Sequence, residues 1–411
     1  MLKSNNNMIK FEEAYKIVAE AGIKLNTEKV KLNDALRYVL AEDVKSDMNM
    51  PPFNKSAMDG YACKEADIAN ELEVLEVIPA GKIPEETIGQ NQCAKIMTGA
   101  MIPDGADCVI MVEDTEEIGT NRIRYTKPVP EINVCQVETS NKPNVNICYL
   151  GEDIKIGNVV LEKGTLIKSQ HIATMASVGY TEPLVYRKPK VAVIPTGDEI
   201  VEPHIKPSIS QIRNSNGSQI VAQLKAMGIE ANYFGIARDT ENVTMELIQK
   251  AYEENDVVLL TGGVSMGDFD LVPEILKSLK FELLFESIAV QPGKPTVFGK
   301  REGKYCFGLP GNPVSSFVQF ELLTKPLLYI LMGENYKAFN FKLPLGKDFS
   351  RRKAARLSWV PAIFTNEGTV VPVEYHGSAH INGLGQADGI MAIPIGITEL
   401  KKGELVDVRQ I

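Results

Sequence analysis

The sequence predicts a multidomain α/β protein: a central α/β domain on a mainly parallel sheet, with a mostly β domain, a small helical or linker domain and a C-terminal β-barrel-like domain. With 411 residues, the chain is longer than one hydrophobic core normally supports. From residue 189 onward, aliphatic runs alternate with amphipathic stretches of helical length, which is the pattern of βαβ units. Elsewhere, short strand-like runs broken by Pro, Gly, Asn and Asp indicate β domains.

These changes in hydrophobic pattern and composition set the predicted domain boundaries. The linker domain comprises residues 27–45 and 158–188, the β domain 46–157, the α/β domain 1–26 and 189–337, and the C-terminal domain 338–411. Apolar residues at helical spacing predict helices outside the alternating region, at residues 10–21, 30–41 and 168–179.

Within the α/β domain the elements can be placed in order. "KVAVIPTGDEI" is typical of a buried strand that leads into a glycine turn, and "NSNGSQIVAQLKAMG" of a capped helix that ends at Gly228. A strand over "IEANYFGIA", a helix over "ENVTMELIQKAYEEN" and a strand over "DVVLL" follow. A proline start predicts a long helix from Pro313 to about Met332.

The composition excludes several classes of protein. The chain is 44% hydrophobic and 24% charged, has no apolar run of transmembrane length and no signal-peptide core, and is expected to be cytoplasmic without a membrane partner. A net charge of −9 argues against a nucleic-acid partner. Six cysteines without a C-x-x-C pair and four histidines without H-E-x-x-H spacing predict reduced core thiols rather than disulfides or zinc.

Four polar loops follow predicted strands of the α/β domain, at residues 195–200, 237–240, 261–270 and 308–313. In an open parallel sheet, ligands bind beyond the carboxyl ends of the strands. We therefore expect these loops to line one cleft.

The loop "TGGVSMGDFD" (261–270) has features of an anion-binding turn. Gly262 and Gly263 can adopt positive φ and let backbone N–H groups approach an anion, and Ser265 adds a hydroxyl. No Gly-Lys-Ser/Thr follows, so the loop is not an ATPase P-loop. A purely structural Gly-Gly turn remains the alternative.

Three acids lie a few residues past the strand ends: Glu199, Asp239 and Asp270. Together they suit Mg²⁺, which takes one or two carboxylates with waters and phosphate oxygens. Taken singly, Asp239 also suits a helix cap and Glu199 a solvated loop.

Other stretches carry polar residues in stiff turns. Lys294 stands between two prolines in "QPGKPTVFG", and "GLPGNPVSS" enters a helix whose N-terminus can attract an anion. In "MPPFNKSAMDGYA" the pattern favours a hairpin tip with Asp59 in an Asx turn. Thr98 follows the strand-like run that begins "CAKIM".

Six ordered stretches carry a more specific signal: "PPFNKSAMDGYA", "IMTGAMIPDGADCVIMVED", "PTGDEI", "GGVSMGD", "QPGKPTVFG" and "GLPGNPVSS". They resemble the molybdopterin molybdenumtransferase (MoeA) family, related to the gephyrin E domain, from about residue 8 to the C-terminus. "GGVSMGD" and "TGDE" alone resemble a wider molybdopterin-binding fold shared with molybdopterin adenylyltransferases.

The resemblance implies a homodimer in which the α/β domain of one subunit faces the β domain of the other. The implied reaction is Mg²⁺-dependent: adenylylated molybdopterin and molybdate give molybdenum cofactor with release of AMP. Contact with a molybdopterin adenylyltransferase is a further implied partnership. The implied catalytic residues are Asp59, Thr98, Asp153, Glu199, Asp239 and Asp270, with Glu199, Asp239 and Asp270 also as metal ligands. The implied substrate-binding residues are Gly262, Gly263, Ser265, Lys294, Pro310, Pro313, Arg356 and Ser378.

The chain departs from the family pattern in two places. Ser287 and Gln291 stand where many relatives have basic residues, and "NVNICYL" replaces an Arg-rich run before "GED". These changes predict weaker binding of molybdate or phosphate, or compensation by Lys294 and Arg356. Molybdate and tungstate are both compatible, because their size and charge are nearly equal.

Two other functions fit parts of the pattern. The shared fold allows molybdopterin adenylylation, although the additional β domains argue against it. A dimeric scaffold that binds a partner peptide, as the gephyrin E domain does, is the alternative from a different class.

Overall fold

The computed structural model describes residues 8–128, 146–238, 240–264, 271–374 and 377–411. Contacts divide the chain into two compact units. We call Asp43–Glu162 with Ala173–Thr181 the β unit. The α/β unit contains the residues up to Glu42, Lys163–Ile172 and Glu182–Ile411. In the described part of the chain, no helix is both long and apolar enough to cross a membrane.

A six-stranded sheet forms the centre of the α/β unit. Its strands are β1 (Val191–Pro195), β2 (Ala231–Tyr233), β3 (Val257–Thr261), β4 (Glu282–Phe285), β5 (Val297–Arg301) and β6 (Lys304–Leu309). The order is β2-β1-β3-β6-β5-β4. β2, β1, β3 and β6 pair in parallel, whereas β5 pairs antiparallel with both β6 and β4 and is the one strand of this sheet that runs in the opposite direction. The predicted mainly parallel sheet is confirmed, with an antiparallel edge.

β5 and β6 form a hairpin with a tight turn at Glu302 and Gly303. Both residues have positive φ, 51° and 75°, as two-residue hairpin turns require. β5 therefore begins at the edge of the sheet where β6 ends.

Alternate residues of β1 enter two different hydrophobic cores. Val191 and Val193 pack with Leu224, whereas Ala192 and Ile194 pack with Ile248. Both faces of the sheet are thus covered by helices, as a parallel sheet requires.

The helices of the described chain are Phe11–Ala21, Ser169–Ser177, Ser215–Ala226, Glu241–Glu254, Val272–Ser278, Pro313–Gln319, Lys325–Leu331 and Ile381–Leu384. The predicted N-cap of Ser215–Ala226 is confirmed, because the side chain of Asn214 accepts a hydrogen bond from the Gly217 N–H. The predicted helix from Pro313 is present as two α-helical segments joined by a π-helical turn, Phe320–Thr324.

The C-terminal part of the α/β unit forms a second six-stranded sheet. Its strands are, in spatial order, Val290–Gln291, Leu357–Phe364, Gly389–Ile393, Leu405–Gln410 and Phe341–Pro344, and Val370–Pro372 pairs with Leu357–Phe364. Phe349–Ser350 and Glu399–Leu400 form a separate pair. The edge strand Val290–Gln291 connects this sheet to the segment that carries Lys294.

The β unit contains a third six-stranded sheet. Its strand order is Cys108–Met111, Gly60–Cys63, Gln92–Ile96, Glu71–Ile78, Arg122–Tyr125 and Thr115–Glu117. Two short pairs complete the unit, Lys55–Ser56 with Ile147–Cys148 and Val44–Lys45 with Val159–Leu161. Cys63, Cys93, Cys108 and Cys306 are buried free thiols, as predicted; Cys135 lies outside the described residues.

The helix predicted over residues 30–41 is wrong. A 3₁₀ turn, Leu32–Asp34, is followed by strand Val39–Leu40, which pairs with Leu184–Tyr186 beside Thr27–Lys29. Arg37 has φ 64°, which ends any helical run, and both residues of strand Val39–Leu40 are buried. Tertiary pairing overrides the amphipathic spacing here. The predicted helices at 10–21 and 168–179 are confirmed, and the four-domain division stays a prediction.

Candidate functional site

The strand-end loops of the α/β unit are hydrogen-bonded to one another in their described parts. The N–H of Thr196 donates to Thr261 O at 2.9 Å, and the N–H of Gly197 donates to Ala237 O at 3.1 Å. The N–H of Gly262 donates to Leu309 O at 3.1 Å. The four loops therefore converge, as predicted, at the carboxyl ends of the parallel strands, and we call this region the strand-end site.

Gly262 and Gly263 have positive φ, 97° and 63°, as predicted. A Cβ at Gly262 would lie 2.6 Å from Thr196 O, so the turn packs too closely for any other residue. Because the Gly262 N–H is already bonded to Leu309 O, it is not a free donor for an anion. The Gly262 N–H is therefore excluded as a phosphate donor, and the phosphate contact of Gly263 stays a prediction. Ser265 lies outside the described residues.

The hydroxyl of Thr196 lies against the Gly262–Gly263 turn. Its Oγ1 would be 2.9 Å from a Cβ at Gly262 and 3.1 Å from one at Gly263. Thr196 is 7% exposed, and within the described part of the chain Oγ1 has no hydrogen-bond partner. Buried hydroxyls are normally paired, so this atom is available to a ligand. Sequence reasoning missed it, although a hydroxyl residue directly after a buried strand was the available signal.

Asn216 joins three segments of the strand-end site. It is 8% exposed, on the first turn of Ser215–Ala226. Its Nδ2 donates to Thr261 Oγ1 at 2.8 Å and to Gly311 O at 2.7 Å. Thr261 Oγ1 in turn donates to Pro310 O at 3.3 Å. Pro310, a predicted site residue, therefore lies in a buried hydrogen-bond network that fixes the loop "GLPGNP". The sequence alone did not reveal this network.

Glu199 is an exposed carboxylate folded back on its own loop. A Cβ at Gly197 would lie 2.4 Å from Glu199 Oε2, so the carboxylate occupies the space that a side chain there would fill. Glu199 forms no ion pair with a described residue. Asp239 and Asp270, the other predicted metal ligands, lie outside the described residues. No three-residue acid, histidine or cysteine cluster occurs among residues that the structure describes.

Lys294 and Arg356 lie close in sequence to two paired strands of the second sheet: Lys294 follows Val290–Gln291, and Arg356 precedes Leu357–Phe364. Lys294 is partly buried, and its carbonyl accepts a hydrogen bond from Ile288 N at 3.0 Å. Arg356 Nη1 donates to Val290 O at 3.3 Å, next to the paired residues Val290 and Leu357. Neither cation forms an ion pair within the described ranges. In a chain of net charge −9, cations without an ion pair among the described residues favour an anion.

Ser378, predicted as a substrate contact, lies against the "GLPGNP" loop. Its Oγ accepts a hydrogen bond from Asn312 Nδ2 at 2.9 Å, and its carbonyl accepts one from Val314 N at 3.1 Å. Pro313 begins the helix Pro313–Gln319, as predicted. The structure thus brings Pro310, Pro313 and Ser378 together.

A cavity of about 520 Å³ lies at the opposite edge of the first sheet, where β6 begins. Its wall includes Lys300 and Glu282, whose charged atoms are 3.4 Å apart. The charged residues of its wall balance, three acids (Glu20, Glu282 and Glu302) against three bases (Lys280, Lys300 and Arg301), so the cavity is a poor anion site.

Asp59 and Thr98 form a pair in the β unit. Asp59 Oδ1 accepts hydrogen bonds from the Thr98 N–H at 2.6 Å and from Thr98 Oγ1 at 2.8 Å. These bonds, first that of the backbone N–H and then that of the hydroxyl, lower the pKa of Asp59 below its ordinary value. Both residues are exposed. Asp59 is therefore an ionised carboxylate in fixed orientation at the protein surface.

The predicted Asx turn at Asp59 is wrong, and so is the hairpin. Strand Lys55–Ser56 pairs with Ile147–Cys148, whereas Gly60–Cys63 pairs with Gln92–Ile96 and Cys108–Met111. The carboxylate bonds to a residue 39 positions away instead of to its own turn. Asp153 is exposed in the same unit, and its N–H donates to Met50 O at 3.1 Å.

Comparisons with known proteins match the chain over almost its whole length. The family model described as MoeA N-terminal region (domain I and II) matches residues 9–179. The model described as probable molybdopterin binding domain matches residues 192–329, and the MoeA C-terminal region (domain IV) matches residues 342–411.

Individual relatives agree with these matches. A molybdopterin molybdenumtransferase of Staphylococcus epidermidis is 38% identical over 97% of this chain and 95% of the relative. One from Staphylococcus aureus is 35% identical over 99% and 97%. The crystal structure of a molybdopterin biosynthesis MoeA protein from Pyrococcus horikoshii has a TM-score of 0.81 at 30% identity, covering 98% of this chain and 100% of that chain.

Proposed function

Because the chain belongs to the MoeA family, we propose that it inserts molybdate into adenylylated molybdopterin with release of AMP. Its role is in molybdenum cofactor biosynthesis. The observation that carries the proposal is the strand-end site, where the buried Thr196 Oγ1 has no hydrogen-bond partner among the described residues. Lys294 and Arg356, in the same unit, have no ion-pair partner in the described part of the chain. An adenylylated pterin phosphate and an oxyanion both need such donors and cations.

The chemistry of each described side chain sets its proposed role. Lys294 and Arg356 hold negative oxygens, either of phosphate or of molybdate. Thr196 Oγ1 donates a hydrogen bond to a substrate oxygen beside the Gly262–Gly263 turn. Asp59, ionised and oriented by Thr98, is an acceptor that holds or moves a proton at the reacting end of the substrate.

We include Mg²⁺ in this proposal as a metal held in part by Glu199. Glu199 suits this metal because its carboxylate is exposed, follows the carboxyl end of β1 and has no ion-pair partner among the described residues. Magnesium commonly binds through one or two carboxylates and completes its shell with waters and phosphate oxygens. When bound, it would neutralise phosphate charge on the substrate. Asp239 and Asp270 stay predicted ligands.

We further propose that the active assembly is a homodimer in which Asp59 and Thr98 act with the strand-end site of a second copy. Mixing two inactive variants tests this. If sites are shared between copies, a heterodimer of Asp59→Asn and Lys294→Gln contains one intact site, and random exchange restores about a quarter of wild-type activity. No recovery, with mixed dimers shown to form, would contradict the shared site.

The central experiment measures AMP. Purified protein with adenylylated molybdopterin, Mg²⁺ and molybdate should release AMP well above a boiled control. Omitting molybdate separates insertion from simple hydrolysis, and omitting Mg²⁺ tests the metal. Absence of AMP release under all conditions would refute the proposed function. A pull-down with a molybdopterin adenylyltransferase tests the predicted partnership.

A further inference from the structure

A buried glutamine of a helix packs against the turn that carries Lys294. Gln319 is 0% exposed and is the last residue of Pro313–Gln319, the helix that begins at the strand-end site. Its Nε2 donates to Pro292 O at 2.9 Å. This carbonyl can only accept, so the orientation of the amide is fixed.

Gln319 also touches the next residue of the turn. Gly293 has φ 109°, and a Cβ there would lie 2.4 Å from Gln319 Nε2 and 2.6 Å from its Cγ. The amide therefore lies directly on the Gly293 backbone. The carbonyl of the same glycine is also held, because Thr296 Oγ1 donates to Gly293 O at 2.8 Å, and Thr296 is 0% exposed.

The second polar atom of Gln319 has no evident structural purpose. Oε1 is buried and has no hydrogen-bond partner in the described part of the chain. An unsatisfied buried amide oxygen costs stability, which an aliphatic side chain of similar volume would avoid. The hydrogen bond from Gln319 Nε2 to Pro292 O, in the turn that carries Lys294, explains why a glutamine stands here.

We propose that Gln319 is a positioning residue for Lys294. By fixing Pro292 and Gly293 it sets the direction in which the lysine leaves the turn and so the place of its charge. The nature of the anion rests on the proposed function, whereas the positioning of the lysine does not. Thr296 assists by holding the Gly293 carbonyl.

The first test needs no ligand. Brief acetylation of the folded protein with acetic anhydride, followed by peptide mass spectrometry, gives the reaction rate of Lys294. Gln319→Leu should raise this rate about fivefold, because the partly buried lysine is released from one conformation. Gln223→Leu is the matched control: Gln223 is 9% exposed, its Oε1 is also unpaired, and its Nε2 donates to Glu321, away from the turn. It should leave the Lys294 rate unchanged.

The second test is a double-mutant cycle on AMP release. Gln319→Leu should raise KM about tenfold in the wild-type background, with little change in kcat, and should have no further effect in a Lys294→Gln background. Gln223→Leu should not alter KM in either background. If Gln319→Leu does not fold, Thr296→Val provides the same readouts with a smaller change.

An unchanged acetylation rate of Lys294 in Gln319→Leu or Thr296→Val would overturn the proposal. So would additive effects of Gln319→Leu and Lys294→Gln, since these would indicate a purely structural role. If the wild-type protein releases no AMP, the proposed function fails, and the acetylation rates still decide the role of Gln319.

Discussion

In the β unit, Asp59 stands in solvent and is fixed by hydrogen bonds from one residue, Thr98. In the α/β unit, the side chains of Asn216 and Thr261 at the strand ends are buried, and their hydrogen bonds join several segments at once. Because Asp59 is exposed, changes there should mainly alter chemistry and have little effect on stability. A buried network couples chemistry to stability, so changes there should alter both.

The largest effect should come from the charged groups. Asp59→Asn and Lys294→Gln should each lower kcat/KM for AMP release about 100-fold or more, because each removes a charge that we propose contacts the substrate. The free energy of unfolding should stay nearly unchanged in Asp59→Asn, because the carboxylate is exposed. Lys342→Gln is the control: this exposed lysine lies on strand Phe341–Pro344, at the opposite edge of the second sheet from Val290–Gln291. Equal losses in all three variants would contradict specific roles.

The next effect should be on stability. Gly262→Ala places a Cβ 2.6 Å from Thr196 O at a residue with φ 97°, and should lower the free energy of unfolding by about 2–4 kcal/mol. Gly403→Ala is the control, since Gly403 has φ 91° and no atom within 4 Å of its added Cβ. It should cost about 1 kcal/mol. Urea denaturation measures both, and equal losses would mean that the close packing against Thr196 has no effect.

Two threonines of the strand-end site sharpen the contrast between paired and unpaired hydroxyls. Thr261→Val removes a hydroxyl that bonds both Asn216 and Pro310 and should cost about 1–3 kcal/mol of unfolding free energy. Thr196→Val removes a hydroxyl that has no partner among the described residues, so stability should change by no more than about 0.5 kcal/mol while KM rises. A large stability loss in Thr196→Val would show that its hydroxyl is already used in the free protein.

The smallest effect concerns the pKa of Asp59. Thr98→Ala removes the hydroxyl donor and leaves the backbone donor, so the pKa of Asp59 should rise towards its ordinary value. A lowered carboxyl pKa stabilises the fold above the unfolded pKa, and this contribution disappears as pH falls through the folded pKa. The Thr98→Ala variant should therefore lose less stability on acidification. NMR titration of the Asp59 carboxyl carbon measures the shift. Thr115→Ala, whose hydroxyl bonds the Val112 carbonyl, is the control.

Local patterns were enough to predict most elements of the fold and the strand-end loops. The alternation of strands and helices after residue 189, the cap at Asn214 and the proline start of the helix at Pro313 depend on neighbouring residues, which the sequence shows directly. The helix predicted over 30–41 failed because Val39 and Leu40 pair with a strand about 145 positions away in the chain, a partner that spacing cannot reveal.

The same limit applies to the candidate site. Asp59 and Thr98 were both predicted, but their mutual hydrogen bonds depend on the register of the β-unit sheet. Thr196, Asn216 and Gln319 were missed because their significance lies in a partner, or in the lack of one, that only the folded chain defines. Roles for Asp239, Ser265 and Asp270 stay predictions.

The hairpin of β5 and β6 has a consequence for how this site forms during folding. Its turn at Glu302 and Gly303 joins strands next to each other in sequence, so its contacts are local and close early at little entropic cost. Lys294 precedes the hairpin and Pro310 follows it, so this step alone brings both segments to the same edge. β1 and β3 must cross much longer stretches of chain to reach them. We expect Lys294 and the "GLPGNP" loop to be preassembled, and the Gly262–Gly263 turn to join them last.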